Sequence, residues 1–395
     1  MHKSGYTSAI ILAIFSIHLF QGVAMAQPAK FFGSVWQWSS AGSAPQSFTG
    51  MFNQTTPENA GKWGSAEPTR GNFNWTTLDA MYSWAETNNA LVKQHTFVWG
   101  QQEPGWIGNY TNADTVKAIV RNWITTYLKR YGSKIDMIDV VNEALHAPAS
   151  YRGYLGGNGA TGWDWVIWVF QTARDSANKY APRVQLLIND YSIIGDNTAT
   201  TSYLTLINLL KDRGLIDGIG EQAHFYEGTD TAVMHANLNR LAATGLPVFI
   251  SELDVDNADD QGQLTSYKRL FPLFWDHPSV RGITLWGYQQ GRIWRTNGYL
   301  LRLDGSERPA CTWIKQYIAS HSSEANSSIA IRRTCAVIGG RALFNLHGQR
   351  MGYQAGGEMN RRAYSPIASC GIYLGVPDKQ DLRADGVRII IRQIN

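Results

Sequence analysis

Two glutamates stand at the ends of two predicted β-strands and could together cleave a glycosidic bond. The 395-residue chain reads IDVVNE over 138–143 and FISELD over 249–254, so each strand delivers a carboxylate, Glu143 or Glu252. Such cleavage needs one carboxylic acid to protonate the leaving oxygen and one carboxylate to attack the anomeric carbon. Taken alone, either glutamate would more often be a solvated strand end, because short motifs carry a real false-positive risk.

Polar and aromatic side chains recur where other predicted strands end, and this recurrence favours a functional site. The candidate binding residues are Glu58, Asn59, Lys62, His95, Trp99, Gln102, Gln222, Trp286 and Trp294. A lone His or Trp usually serves packing, but amides, charges and indoles from six strand ends are difficult to explain as core. Hydroxyl-rich ligands need a few placed polar groups and an aromatic floor. The pattern therefore predicts a sugar-binding cleft.

The proposed chemistry sets requirements for the surroundings of both glutamates. Glu143 must carry a proton, so we expect poor solvation and the nearby Glu252 charge to raise its pKa. Glu252 must stay ionised, and His224 is the candidate hydrogen-bond donor. Asp254 lies two residues beyond Glu252 and shares its strand face, where it could fix the His224 tautomer. This chemistry requires no metal and no cofactor, and the histidines lack the spacing of a metal site.

Alternating strand and helix patterns predict the architecture that must position these groups. We predict strands near 31–36, 50–55, 91–98, 135–142, 184–190, 217–223, 247–254 and 281–287. Helical spacing of apolar residues follows at 114–131, 163–180 and 200–210, and a last helix is expected at 309–320. Eight such units predict an α/β fold, a (β/α)8 TIM barrel with a small C-terminal β-rich tail. An open doubly wound sheet is the alternative, but the first strand lacks a following glycine-rich phosphate loop.

Over residues 31–320 the chain resembles glycoside hydrolase family 10, the endo-β-1,4-xylanases. The resemblance rests on DVVNE at 139–143, ISELD at 250–254 and HTFVW at 95–99 followed by Gln102, Pro104 and Trp106. It implies that Glu143 is the general acid/base, that Glu252 is the nucleophile and that Asn142 bonds the sugar 2-hydroxyl at the cleavage point.

By the same resemblance, His224 would orient the nucleophile, with support from Gln222 and Asp254. The residues implied to line the subsites on the non-reducing side are Glu58, Asn59, Lys62, His95, Trp99, Trp286 and Trp294. The chain departs from the family at Gly100, where most members carry a histidine after the strand-three tryptophan. This departure leaves the fine specificity of the cleft open.

The two ends of the chain predict export and a separate tail. Residues 1–26 have a short polar start, an apolar run and a small-residue cleavage site, which is typical of a secretory signal peptide. We therefore predict a secreted protein with a catalytic domain over 27–321, a serine-rich linker over 322–328 and a β-rich tail over 329–395. The tail is similar to the small C-terminal sorting domains of some Gram-negative secretion systems; a carbohydrate-binding module or a structural extension are the alternatives.

Charge and cysteine content exclude several classes of protein. The net charge of +4 comes from 35 basic and 31 acidic residues, without the basic stripe of a nucleic-acid binder. We expect no stable membrane span and a monomer. Three cysteines exclude a fully paired disulfide scaffold. Cys335 and Cys370 could pair in the tail, and Cys311 is expected to be a buried free thiol.

The predicted function is a secreted retaining endo-β-1,4-xylanase with xylan as its partner. Two alternatives remain at this point. One is a barrel glycosidase acting on another β-linked glycan, which Gly100 keeps open. The other is a non-catalytic xylan-binding protein on the same barrel, against which the presence of both glutamates argues.

Overall fold

The computed structural model describes residues 30–321 in full and, beyond them, four two-residue strands. The predicted signal peptide, the predicted linker and both tail cysteines lie outside the described residues. Among the described residues, none of the helices combines the length and the hydropathy that a membrane span requires.

Eight parallel strands close into a barrel, in which each strand pairs with the next and the eighth pairs with the first. The strands are β1 Phe31–Trp36, β2 Gln54–Pro57, β3 Leu91–Val98, β4 Met137–Asn142, β5 Gln185–Asp190, β6 Gly218–Glu221, β7 Val248–Leu253 and β8 Val280–Leu285. The α-helices are α1 Gln46–Met51, α2 Trp63–Ala66, α3 Thr76–Asn88, α4 Ala113–Tyr131, α5 Asp164–Tyr180, α6 Asn197–Lys211, α7 Thr231–Ala242, α8 Asp260–Trp275 and α9 Pro309–His321. Short 3₁₀ turns occupy Ala41–Ser43, Ile107–Asn109 and Arg152–Leu155. The predicted (β/α)8 barrel is confirmed.

Four of the α-helices begin at a capping side chain that precedes an amphipathic segment. Asn112 caps α4, because its side chain accepts a hydrogen bond from the backbone N–H of Thr115 at 3.0 Å. Aspartates cap α6, α7 and α8 in the same way; they are Asp196, Asp230 and Asp259. The face of α4 that packs on the barrel is buried and includes Val116, Ile119, Val120, Trp123 and Ile124. These helices close the outer layer around the sheet.

The second predicted strand, at 50–55, is wrong in its position. Residues Gln46–Met51 form α1, whose Phe48 is fully buried and packs at 5.1 Å on Phe52. The apolar residues inside the predicted range are therefore Met51, the last residue of this short helix, and Phe52, which follows it.

The observed second strand shares only Gln54 and Thr55 with the predicted range, because it is polar yet buried. The Gln54 amide donates to Thr56 Oγ1 at 2.8 Å and accepts from Thr284 Oγ1 at 2.9 Å inside the barrel. Hydrogen bonding within the barrel satisfies these groups, so burial here leaves no hydrophobic pattern in the sequence.

The barrel interior changes from apolar at the N-terminal ends of the strands to charged at the C-terminal ends. A small apolar cluster of Phe31, Met137, Leu187 and Phe249 fills the lower part. Above it Lys93 and Asp139 form a fully buried ion pair at 2.8 Å. The charged side chains that could take part in a reaction thus lie at the C-terminal mouth, where barrel enzymes place their active sites.

The chain divides into two compact units, Met1–Ala325 and Asn326–Asn395. In the second unit Leu343–Phe344 pairs with Arg350–Met351, and Tyr373–Leu374 pairs with Ile389–Ile390, both antiparallel. The sorting role predicted for the tail stays a prediction. On α9 Cys311 is buried and forms no disulfide among the described residues, and burial raises the pKa of its thiol to about 12.

Candidate active site

Glu143 projects into the mouth from a tight turn directly after β4. Its backbone adopts a left-handed conformation with φ of 53°, and its side chain is nearly buried. Trp99 Nε1 donates to Oε2 at 2.9 Å, and Gln222 Nε2 donates to Oε1 at 3.1 Å. Burial is the main reason that the pKa of Glu143 is raised, and the nearby Glu252 charge adds to it. The two donated hydrogen bonds oppose this rise without cancelling it.

Glu252 lies within β7 and is more deeply buried than Glu143. Asn189 Nδ2 donates to its Oε1 at 2.7 Å, and His224 Nε2 lies 3.4 Å from its Oε2. Burial alone would raise the pKa of this carboxyl. The charges of His95 and Lys93, with the charge and hydrogen bond of His224, outweigh burial and lower the pKa. Glu252 is therefore held as a carboxylate.

His224 lies between two carboxylates, Glu252 and Asp254. Its Nδ1 is 2.8 Å from Asp254 Oδ2, although the N–H direction is poorly aligned for a hydrogen bond. Burial lowers the pKa of the ring, but both carboxylates raise it further, and the result is a pKa of about 10. The imidazolium form thus presents a proton to Glu252 through Nε2. Asp254 is in turn fixed by Trp294 Nε1 at 2.8 Å and by Arg295 at 2.7 Å.

An amide network links the two glutamates. Asn142 Oδ1 accepts from Asn189 Nδ2 at 2.9 Å and from Gln222 Nε2 at 3.2 Å, and its own Nδ2 lies 3.3 Å from Glu143 Oε1. All three amides are buried. The network therefore holds Glu143 and Glu252 in a fixed relation across the mouth.

A second group of predicted residues lies on the other side of Trp99. Lys62 Nζ donates to Gln102 Oε1 at 2.5 Å and to Asn59 Oδ1 at 3.0 Å, and it lies 5.0 Å from the centre of the Trp99 ring. Burial lowers the pKa of Lys62, whereas the surrounding carboxylates raise it less. Glu58 accepts from Gln37 Nε2 at 2.8 Å, and its charge is one of those that act on Lys62.

His95 forms the floor between these groups and the ion pair inside the barrel. Its Nδ1 lies 3.0 Å from Asp139 Oδ2 and 3.8 Å from Glu252 Oε1. The Trp286 ring meets the imidazole edge-on at 5.0 Å. Trp294 likewise packs edge-on against His224 at 5.0 Å. The structure thus joins the predicted site residues by direct contacts, except Glu58, which acts on Lys62 through its charge. Their individual roles stay predictions.

Asn189 is a contact of Glu252 that sequence reasoning missed. It lies in the string INDY at the end of β5, and Ser251 Oγ donates to its Oδ1 at 2.6 Å. Because the hydroxyl occupies the amide oxygen, the amide nitrogen points toward Glu252. The signal was available, since β5 ends in polar residues just as β4 and β7 do.

Gly100 is explained by the backbone that packs against it. Its N–H donates to the carbonyl of Ala147 at 2.9 Å. A Cβ at this position would lie 2.3 Å from Pro148 O and 2.5 Å from Ala147 O. The loop after β4 therefore occupies the space that a side chain at position 100 would need.

The cluster has the chemical parts of acid-assisted glycosidic cleavage. Two carboxyl groups lie at the same mouth, and their surroundings raise the pKa of Glu143 and lower the pKa of Glu252. The described residues show no group of three or more His, Cys, Asp or Glu side chains arranged to hold a metal ion. A (β/α)8 barrel that carries such a carboxylate pair at its C-terminal mouth is the arrangement of a glycoside hydrolase.

Comparison with known sequences gives the family. Residues 22–317 match the model of glycosyl hydrolase family 10. The chain belongs to this family. Endo-1,4-beta-xylanase B of Cellvibrio japonicus is 40% identical over 289 residues, which are 72% of this chain but only 45% of that protein. Endo-1,4-beta-xylanase 3 of Hypocrea jecorina is 32% identical over 259 residues, 65% of this chain and 72% of that protein.

Solved structures agree with the family. Xylanase 10B from Thermotoga petrophila, crystallised in complex with xylobiose, aligns with a TM-score of 0.64 at 25% identity and covers 74% of this chain and 95% of that chain. GH10 from Paenibacillus barcinonensis aligns with a TM-score of 0.66 at 25% identity and covers 75% of this chain and 96% of that chain.

Proposed function

We propose that this protein is a secreted, retaining endo-1,4-β-xylanase that hydrolyses the xylan backbone by double displacement. The observation that carries the proposal is the opposite setting of the two carboxyl groups. Burial raises the pKa of Glu143, whereas cationic neighbours lower the pKa of Glu252. A fold that shifts the pKa values of two carboxyl groups in opposite directions supplies an acid and a nucleophile at the same pH.

In the first step Glu252 attacks the anomeric carbon while Glu143 protonates the departing glycosidic oxygen. The Asn189 and His224 contacts orient the attacking carboxylate, and the Trp99 and Gln222 hydrogen bonds hold the acid. The product of this step is a glycosyl-enzyme ester on Glu252.

In the second step Glu143, now a carboxylate, takes a proton from water as the water adds to the anomeric carbon. The bond to Glu252 breaks, and the sugar is released with its original anomeric configuration. The raised pKa of Glu143 suits both roles, because the group must gain and lose a proton within each turnover.

Xylan is the proposed substrate because relatives that are 40% and 32% identical to this chain are named endo-1,4-beta-xylanases. A barrel glycosidase acting on another β-linked glycan is the second candidate, since Gly100 and the packed loop after β4 border the predicted donor subsites. A non-catalytic xylan-binding protein fits less well, because binding alone does not require the opposed carboxyl environments.

The test is a reducing-sugar assay on xylan, cellulose, mannan and mixed-linkage glucan, with Glu143→Ala and Glu252→Ala as inactive controls. Release of sugar from xylan alone, abolished in both variants, is the expected result. Preferential release from another glycan would replace the substrate, and binding to xylan without release would leave a binding protein.

Export is part of the proposal and has its own test. Residues 1–26 would direct secretion, and the tail over 329–395 would be read by a secretion system. Expression with and without each segment, followed by xylanase assays of cells and medium, tests both. Unchanged distribution of activity after removal of either segment would overturn the corresponding role.

A further inference from the structure

His146 forms an ion pair with a buried carboxylate three residues beyond Glu143. Its Nδ1 lies 2.6 Å from Asp190 Oδ1. The side chain of Asp190 is fully buried, whereas 29% of the His146 side chain is exposed. The imidazole also stacks on the Tyr191 ring, with ring centres 4.2 Å apart. Neither His146 nor Asp190 is among the site residues predicted from the sequence.

Asp190 in turn holds the turn that presents Glu143. Its Oδ2 accepts from the backbone N–H of Leu145 at 3.0 Å, and its Oδ1 accepts from the backbone N–H of Tyr191 at 2.9 Å. At the start of the same turn the N–H of Glu143 donates to the carbonyl of Asn189 at 2.8 Å. A left-handed backbone at a residue other than glycine, such as Glu143 with φ of 53°, persists only where its surroundings enforce it. The last two residues of β5 therefore fix the turn after β4 at both ends.

Carboxyl groups from three neighbouring strand ends act on the His146 ring. The hydrogen bond to Asp190 is the largest cause that raises the pKa of His146, and the charges of Asp190, Glu143 and Glu221 raise it further, against the effect of burial. Burial is the main reason that the pKa of Glu143 is raised, and the charge of Asp190 adds to that rise. A protonated His146 offsets the Asp190 charge, so the histidine can act on Glu143 both by geometry and by charge.

We propose that His146 is a positioning residue for the acid/base: through Asp190 it fixes the turn that carries Glu143, and its charge offsets that of Asp190 at the Glu143 carboxyl. The inference rests on the proposed function and adds a residue that acts on Glu143 through a neighbour. Glu143 must give a proton to the glycosidic oxygen in the first step and take one from water in the second. A misplaced carboxyl therefore slows both steps.

The experiment compares full-length His146→Ala, His146→Asn and His235→Ala with the wild type on xylan and on 2,4-dinitrophenyl β-xylobioside. Dinitrophenolate leaves without a proton, so kcat/KM for this glycoside does not depend on the acid. Its kcat is limited by the second step and depends on Glu143 as the base. We expect His146→Ala to lower kcat/KM on xylan about tenfold. On the aryl glycoside it should lower kcat and KM together, by about tenfold each, and change kcat/KM by less than about twofold.

His146→Asn separates geometry from charge. The asparagine amide nitrogen can take the place of Nδ1 and donate to Asp190, but it carries no charge. Rates on both substrates at the optimum pH should therefore return to within about twofold of the wild type. The Asp190 charge then acts on Glu143 without an opposing cation, so the pKa of Glu143 rises. The alkaline limb of kcat/KM on xylan should move to higher pH by about half a unit, while the acid limb moves less. His235 is an exposed histidine on α7, so His235→Ala should match the wild type in rate and pH profile.

Loss of kcat and kcat/KM by the same factor on the aryl glycoside would overturn the proposal, because it would indicate general damage to the site. An unchanged rate of His146→Ala on xylan, or an alkaline limb that stays in place in His146→Asn, would overturn it as well. A poorly folded His146→Ala would reveal itself by a lowered melting temperature, and the pH profile of His146→Asn then carries the test. Failure of the proposed function is seen separately, as a wild-type protein inactive on both substrates, and it would remove this inference with it.

Discussion

Asn189 Nδ2 lies 2.7 Å from Glu252 Oε1 and joins β5 to the carboxylate on β7. The same amide is oriented from behind by Ser251, which donates to its oxygen at 2.6 Å. Asn189 therefore fixes one oxygen of the proposed nucleophile, while His224 contacts the other. A hydrogen bond to a charged group contributes roughly 1.5–3 kcal/mol.

Replacement of Asn189 by alanine should lower kcat/KM by about 10- to 100-fold on xylan and on activated aryl glycosides alike. The loss should extend to both substrates because both need nucleophilic attack by Glu252. Steady-state kinetics with Asn208→Ala, an exposed asparagine on α6, as the control provide the measurement. A loss below about twofold would show that Asn189 does not orient the nucleophile.

The pH profile of kcat/KM should be bell-shaped, with its acid limb set by Glu252 and its alkaline limb by Glu143. Because the charge and hydrogen bond of His224 lower the pKa of Glu252, His224→Gln should raise that pKa and move the acid limb to higher pH. The alkaline limb, where Glu143 loses its proton, should move less. A shift confined to the alkaline limb would contradict the assignment of the two glutamates.

Gly100→Ala should disturb the loop that carries Glu143. The added Cβ would lie 2.3 Å from the backbone oxygen of Pro148. A backbone atom cannot move aside as easily as the end of a flexible side chain. We expect a loss of about tenfold or more in kcat/KM and a melting temperature lower by a few degrees. Gly105→Ala is the matched control, because Gly105 lies with Gly100 in the loop after β3 and a Cβ there meets nothing within 4 Å. Equal behaviour of the two variants would mean that the loop after β4 adapts freely.

Glu221 should make the stability of the barrel depend on pH. Burial raises its pKa from 4.5 to about 8, while Tyr226 donates to Oε1 at 2.8 Å and Oε2 finds no partner among the described residues. The folded state thus keeps a proton that the unfolded chain releases above its ordinary pKa. The free energy of unfolding should therefore fall by a few kcal/mol as the pH rises from 4.5 to about 8.

Glu221→Gln should abolish most of this fall, because the amide cannot ionise. Urea denaturation at a series of pH values measures it, with Glu86→Gln, an exposed residue paired with Lys134, as the control. A wild-type stability that rises toward alkaline pH would contradict the assignment.

Much of the site could be predicted because its candidate catalytic residues lie in short contiguous segments of the sequence. The end of β4 supplies Asn142 and Glu143, and the end of β7 supplies Glu252 and Asp254, so a rule about strand ends locates them. The closure of eight strand–helix units then places these ends at one mouth. Neither step needs knowledge of distant contacts.

The remainder depends on contacts that no local pattern records. The hydrogen bond of Asn189 crosses from β5 to β7, and the polar strand β2 is stabilised by Gln54 bonding to Thr284 far along the chain. The closeness of Gly100 to the loop after β4 is equally a property of the folded barrel. Apolar spacing misplaced β2 because α1 and the residue after it carry the hydrophobic signal instead.

Covalent trapping of the nucleophile shows whether the reaction passes through a glycosyl-enzyme on Glu252. A 2-deoxy-2-fluoro-β-xylobioside with a dinitrophenyl leaving group should form the glycosyl-enzyme but release it slowly, because fluorine disfavours both oxocarbenium-like transition states. We expect a mass increase of one fluoroxylobiosyl unit per chain, located by peptide mass spectrometry at Glu252, with no label in Glu252→Ala. Labelling of another residue, or turnover of xylan by a protein that never acquires the label, would contradict a double displacement through Glu252.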